Sequence, residues 1–223
     1  RATWGFNSVD NTDSDGNGHG YPLSWYYRRK DLWCLQEGQS CRRQGSSRWW
    51  LWFHLWCRLW NELGCRKCHS KLLRCIACPL EVPSLLLSNT AVDSIFNAGI
   101  TIVVAAGNES QDAKNVPPAS APNAITVGAI DSSNKIASFS YWGTLLDVFA
   151  PGVSVLSSWA TSDTETKTIS GTSMACPHVA GLAAYYISAA KDGADPASIT
   201  EKITSGAVSD QVTGNIRGSP NKI

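Results

Sequence analysis

Apolar and polar positions along the chain follow a clear pattern from Ser88 onward and almost none before it. Ile100 to Ala106 is an unbroken run rich in β-branched residues, as expected of a parallel strand buried on both faces. Ala124 to Ala129 and Leu145 to Phe149 are two more predicted strands, and Val153 to Ser157 is a third, after the Pro151-Gly152 turn. Ser88 or Asn89 is positioned to cap a short helix, Thr90 to Phe96, closed by Asn97 and Gly99. A second helix starts near Ser173 and runs through the Ala-rich segment Val179 to Ala190, with Lys191 in its last turn and Gly193 as its stop. Asp195-Pro196 introduces a third, to about Thr204. Strands alternating with helices predict an α/β fold: a doubly wound, mostly parallel sheet with helices on both faces. The 223 residues are enough for one good core, so residues 1–223 are expected to form a single domain.

Composition separates the two parts further. Tyr21 to Leu87 holds seven of the ten Trp, seven of the eight Cys and eleven of the nineteen Lys and Arg, but only four of the eighteen Asp and Glu. Its extreme, Arg48-Trp49-Trp50-Leu51-Trp52-Phe53-His54-Leu55-Trp56, fits neither a helical nor a strand repeat. A net charge of +1 argues against a polyanionic partner, and there is no run of 18 apolar residues to span a membrane. The chain opens on Arg1, with no signal peptide, and reads as a mature or trimmed fragment. Arg1 to Gly20 is loop-like. Its Asp10-Asn11-Thr12-Asp13-Ser14-Asp15-Gly16 imitates a calcium loop, but the twelfth position counted from Asn11 is Pro22, where such a loop needs Glu.

The candidate chemistry centres on Gly171-Thr172-Ser173-Met174-Ala175-Cys176-Pro177-His178. Pro177 belongs in a first helical turn, where its missing N–H is not needed, so Ser173 lies at a helix N-terminus. Free N–H groups and the positive dipole end favour an anion there, which suits a nucleophile beside which an oxyanion forms. A serine at that place also has a purely structural use as an N-cap.

The whole string resembles the nucleophile motif Gly-Thr-Ser-Met-Ala-x-Pro-His of the subtilisin-like serine proteases. Asp15-Gly16-Asn17-Gly18-His19-Gly20 resembles the approach to the catalytic His in the proteinase K branch, although Tyr21-Pro22 stands where Thr-His follows in the family. Ala105-Ala106-Gly107-Asn108 resembles the oxyanion motif, and Pro118-Ala119-Ser120, Phe139-Ser140 and Asp147-Val148-Phe149-Ala150-Pro151-Gly152 extend the likeness. It covers Arg1 to Gly20 and Ser88 to Ile223, about two thirds of the chain. The resemblance implies Ser173 as nucleophile, His19 as base, and the Asn108 side chain as oxyanion donor beside the Ser173 N–H. It implies a substrate pocket of small residues, Ala105, Ala106 and Gly107, with a broad preference for apolar or aromatic P1 residues. It also implies a secreted (extracellular) monomer that hydrolyses protein or peptide substrates and needs no cofactor for its chemistry. A structural calcium is implied on the carbonyls of Pro122 and Ala124 and on Asp147, a residue that equally suits an exposed strand end. The family's orienting Asp precedes the His in an Asp-Thr/Ser-Gly motif that is absent before His19, so the N-terminal part of the fold is expected to be missing and no residue takes that role. Ile125 stands where the branch has a disulfide cysteine, and Cys176 replaces the usual Thr or Ala as a small buried hydrophobe.

Tyr21 to Leu87 supports rival readings. Cys65-x-x-Cys68 and Cys75-x-x-Cys78 have zinc-like spacing, and the Arg- and Trp-rich run suggests a nucleic-acid surface, so residues 34–78 point to a non-catalytic binder. An inactive protease fragment is another alternative. Reading the gene one base out of frame explains more. Every Trp codon, TGG, then begins a Gly codon. Tyr21-Pro22-Leu23 permits Thr-His-Cys, and Trp49 to Trp56 permits Gly-Gly-Ser-Gly-Ser-Thr-Ser-Gly. Ser24 is a mismatch in that frame; in the other shifted frame, Ala77 to Val82 permits Met-Ser-Leu-Gly-Gly, like the family's substrate-binding strand. Compensating frame errors across 21–87 are therefore expected. Trp side chains of roughly 150–250 Å² written over glycines would overpack that fold, so Trp49, Trp50, Trp52 and Trp56 are expected to be crowded or abnormally exposed.

Overall fold

The computed structural model describes residues 75–78, 85–158, 166–190 and 194–223. Its elements in order are β1 (Cys75–Cys78), α1 (Leu85–Asn97), β2 (Thr101–Ala105), a 3-10 turn at Ala113–Asn115, β3 (Ile125–Ile130) and β4 (Val148–Pro151). They continue with β5 (Val155–Ser158), β6 (Thr166–Ile169), α2 (Thr172–Ala189) and α3 (Pro196–Gly206). Strands β1 to β4 form one parallel sheet in that spatial order, with Cys75 opposite Thr101, Val103 opposite Ile125 and Val127 opposite Val148.

The continuous apolar runs are explained by burial on both faces. Val103, Ala105, Ile125, Val127, Ala129, Val148 and Ala150 pack with Ala175, Cys176, Val179, Ala180 and Ala183 of α2 and with Ile199 and Ile203 of α3. Alternate residues face the other way: Ile102 and Val104 meet Val92 and Ile95 of α1, and Ile130 and Phe149 join a neighbouring cluster with Tyr141 and Leu146. The alanines of α2 keep its axis close to the sheet. This is the predicted doubly wound α/β arrangement, with α2 and α3 on one face and α1 on the other. Among the described residues, no helix is long and apolar enough to cross a membrane.

Several boundaries differ from the sequence reading. Helix α1 begins at Leu85, so Ser88 and Asn89 lie inside it rather than at its cap. Asn89 instead donates from Nδ2 to Ser120 Oγ (3.0 Å), tying α1 to the loop before β3. The expected C-terminal stop holds, with Gly99 at φ +76° and Ile100 N–H bonded to the Ile95 carbonyl. Val155–Ser158 does not join the parallel sheet; Ser154 at φ +54° redirects the chain, and β5 pairs antiparallel with β6, a strand that had no sequence signal. Strand β1 lies inside the stretch that lacked a period, and its parallel pairing with β2 supplies what periodicity did not show. Pro177 sits beyond the first turn because α2 starts at Thr172, so its absent N–H is the one that would meet the Ser173 carbonyl. Asp195 caps α3 as expected, accepting from Ser198 N–H at 3.3 Å.

His19, the rest of 1–74, and residues 79–84 lie outside the described residues, as do Lys191 to Gly193. The expectations for Trp49, Trp50, Trp52 and Trp56, for Cys65 and Cys68, and for the nucleic-acid surface therefore fall there.

Candidate active site

Two elements converge at the carboxyl end of the parallel sheet, where open α/β sheets place their sites. One is the N-terminus of α2. Gly171 is its N-cap and brings no capping side chain. Ser173 is the second helical residue and is 8% exposed, sheltered from bulk water yet reachable. The second element is the turn after β2, where Gly107 at φ +123° allows the chain to leave the strand sharply. Asn108 follows it on the surface.

Thr172 joins the two. Its N–H and its hydroxyl both donate to Asn108 Oδ1, at 2.8 and 3.0 Å, and the hydroxyl accepts from Gly107 N–H at 3.1 Å. A carboxamide whose oxygen is held this way presents its NH2 donors on the opposite side. A Cβ built at Gly171 would sit 3.7 Å from Asn108 Oδ1 and 3.8 Å from the Ser173 nitrogen, so the Asn108 side chain lies against the start of α2. The sequence offers Thr172 only as a member of the Gly171 to His178 string; its bonds to Asn108 and Gly107 come from the fold.

Gly152 sets the depth of the helix. Gly171 N–H donates to the Gly152 carbonyl at 2.8 Å, and Gly152 N–H donates to the Ile130 carbonyl at 2.9 Å. A Cβ at Gly152 would come within 2.9 Å of the Gly171 carbonyl oxygen and 2.6 Å of Ala129 Cβ, so only glycine lets the backbones approach. Behind Ser173, buried Cys176 points its Sγ at the Val103 carbonyl (3.4 Å), in keeping with the small buried hydrophobe expected there. His178 donates from Nδ1 to the Met174 carbonyl (2.8 Å), and burial holds its pKa below the usual value.

The other predicted residues are placed as follows. Ala105 ends β2 and faces α2, while Ala106 packs in the cluster around Tyr141; both are buried, as is Gly107. Pro122 is exposed and Ala124 buried, in the turn leading into β3. That turn is held from α1 by Asn123 Nδ2 donating to Asp93 Oδ1 at 2.8 Å. Asp147 is brought beside it: its Oδ2 accepts from Thr126 N–H at 2.7 Å, and its own N–H donates to the Thr126 carbonyl. Asp147 is thus two residues from Ala124 across the sheet rather than at a free strand end. Burial pushes its carboxyl up to about 6, opposed by the Thr126 amide and by Lys222. Among the described residues no three His, Cys, Asp or Glu side chains cluster, so a cation here would rely on backbone carbonyls. His19 is not among the described residues, so its position relative to Ser173 is not part of this geometry.

Comparison with known proteins agrees with this arrangement. Residues 82–219 match the family model Peptidase_S8, the Subtilase family. The chain is 63% identical over 237 aligned positions to a cuticle-degrading serine protease of Arthrobotrys oligospora, covering 100% of this chain and 54% of that protein. It is 60% identical over 219 positions to one from Orbilia oligospora, covering 92% of this chain and 48% of that protein. An alkaline protease 1 of Aspergillus clavatus is 53% identical over 139 positions, 60% of this chain and 33% of that protein. The chain thus spans about half the length of the first two relatives. The crystal structure of a cold-adapted subtilisin-like serine proteinase superimposes with a TM-score of 0.82 at 32% identity, covering all of this chain and 80% of that one. With the family model matching more than half of its residues and a relative 63% identical across the whole of it, the chain belongs to the subtilase family.

Proposed function

We propose that the chain carries the nucleophile and oxyanion donors of a serine endopeptidase that cleaves protein substrates through an acyl-enzyme. The observation that carries this reading is the Thr172 clasp, which fixes Asn108 beside the N-terminus of the helix bearing Ser173. In this reading Ser173 Oγ attacks the scissile carbonyl, and His19 takes the hydroxyl proton and later delivers it to the leaving amine. Negative charge gathered on the carbonyl oxygen meets the Ser173 N–H, the Asn108 NH2 and the positive end of α2. The small residues Ala105, Ala106 and Gly107 leave room for an apolar or aromatic P1 side chain. The relatives named cuticle-degrading serine proteases extend the reading to cuticle as the material acted on, a role that suits a secreted enzyme. A fluorophosphonate should form an adduct that peptide mapping locates at Ser173; an adduct elsewhere, with Ser173 unmodified, overturns the assignment.

A calcium ion on Asp147 and the carbonyls of Pro122 and Ala124 is part of the proposal. The donors are all hard oxygens, and a carboxylate whose charge is disfavoured by burial is one that a neighbouring cation restores. Binding to the native state alone should stabilise it by about 2.7 kcal/mol at a hundredfold excess over Kd, which shifts Tm by about 5–10 °C. Chelation should remove that increment and added calcium restore it; a Tm indifferent to calcium rules the site out.

The proposal also includes a functional polypeptide that is Gly-rich, not Trp-rich, across 21–87. Mass mapping of an active preparation should return the shifted-frame peptides, including Thr-His after Gly20. Recovery of a peptide containing Trp49-Trp50-Leu51-Trp52 from active protein excludes the frame reading.

A further inference from the structure

We infer that Tyr141 is a positioning residue for Asn108, acting through Glu109 and Gln111; this rests on the serine-endopeptidase reading above. Thr172 holds the Asn108 amide from the helix side, but the loop that carries Asn108 is exposed and needs a second anchor. Tyr141 supplies it on both flanks. Its backbone N–H donates to the Gly107 carbonyl, one residue before Asn108, at 3.1 Å. Its hydroxyl donates to Glu109 Oε2, one residue after Asn108, at 3.2 Å. Gln111 Nε2 closes the triangle, donating to the Tyr141 hydroxyl at 2.6 Å and to Glu109 Oε2 at 3.1 Å.

The anchor is rigid because its ring is not exposed at all. Tyr141 packs among Ala106, Ala113, Leu146 and Phe149, so its hydroxyl has a fixed origin in the core and ends at the loop surface. A hydroxyl to carboxylate bond is charge-assisted, and here Glu109 Oε2 accepts from both Tyr141 and Gln111. The backbone around it is zipped to the same segment: Ser110 N–H donates to the Phe139 carbonyl at 2.9 Å, and Trp142 N–H to the Gln111 carbonyl at 3.1 Å. Ser110 lies at φ +51°, a left-handed conformation that this ladder must hold in place. Small displacements of a preorganised donor are expensive in rate, which is why an anchor one residue removed matters.

Tyr141→Phe keeps the ring and removes only the hydroxyl. In the full-length protein, kcat per fluorophosphonate-titrated site should fall about tenfold while KM changes by less than about twofold. In an Asn108→Ala background the same substitution should leave kcat within about twofold, because the effect travels through that amide. Gln111→Met tests the network without touching the core and should reproduce the same pattern. Equal losses in both backgrounds, or a change confined to KM or to Tm, overturn the positioning role. A wild-type protein that is not labelled at Ser173 removes the endopeptidase reading itself. A labelled wild type whose Tyr141→Phe variant keeps full kcat removes this inference alone.

Discussion

Replacing Ser173 by alanine is expected to lower kcat by about a millionfold, leaving only the background that the oxyanion donors supply. The side chain sits at the second position of α2, where the helix dipole favours an anion, as the proposed attack on a carbonyl would create. Alanine is a good helix former, so Tm should hold to within a few degrees. The pair of readings separates chemistry from folding: kcat collapses while the unfolding transition stays in place. A Ser173→Ala protein that retains within about tenfold of the parent kcat places the nucleophile elsewhere.

Asn108→Ala should cost about 10²–10³-fold in kcat with KM little changed, since its amide is asked to work only when negative charge has built up on the substrate oxygen. The Thr172 clasp makes a more discriminating version possible. Thr172→Val keeps the buried shape but deletes the hydroxyl that bonds both Asn108 Oδ1 and Gly107 N–H. The amide can then rotate, so part of the Asn108→Ala loss should appear with Asn108 still present. The deserted, buried Gly107 N–H should also lower stability by about 1–3 kcal/mol, read in a denaturant titration. If both variants raise KM and leave kcat alone, the amide serves substrate binding and not the transition state.

How far the sequence is legible depends on where each signal resides. Ile100–Ala106 and Ala124–Ala129 could be read as buried parallel strands because both faces are covered, and the structure covers them with α1 on one side and α2 with α3 on the other. Ser173 and Asn108 were legible because short strings fix them to a helix start and to a strand end. Thr172 was not, because its role appears only when Asn108, 64 residues away, lies against it. The cap at Ser88 or Asn89 was misread for a related reason: Asn89 spends its amide on Ser120, a partner no local pattern reveals. Strand β6, exposed along most of its length, carries no apolar alternation, and its pairing with β5 is what defines it. Asp147 could be named but not weighed, since its burial and its bond to Thr126 arise from the register of β3 against β4.

The all-parallel sheet carries a kinetic consequence. Neighbouring strands in it cannot be joined by tight turns, and each pairing waits for a crossover to close. The Thr172–Asn108 contact spans 64 residues, and contacts of such separation form late because chain entropy must be lost before they reward it. No half-folded chain therefore holds the Asn108 carboxamide in place: β2 without α2 lacks the Thr172 clasp, and α2 without β2 has nothing to clasp. On the proposed reading, the chain would be a cleavable polypeptide well before it could cleave one.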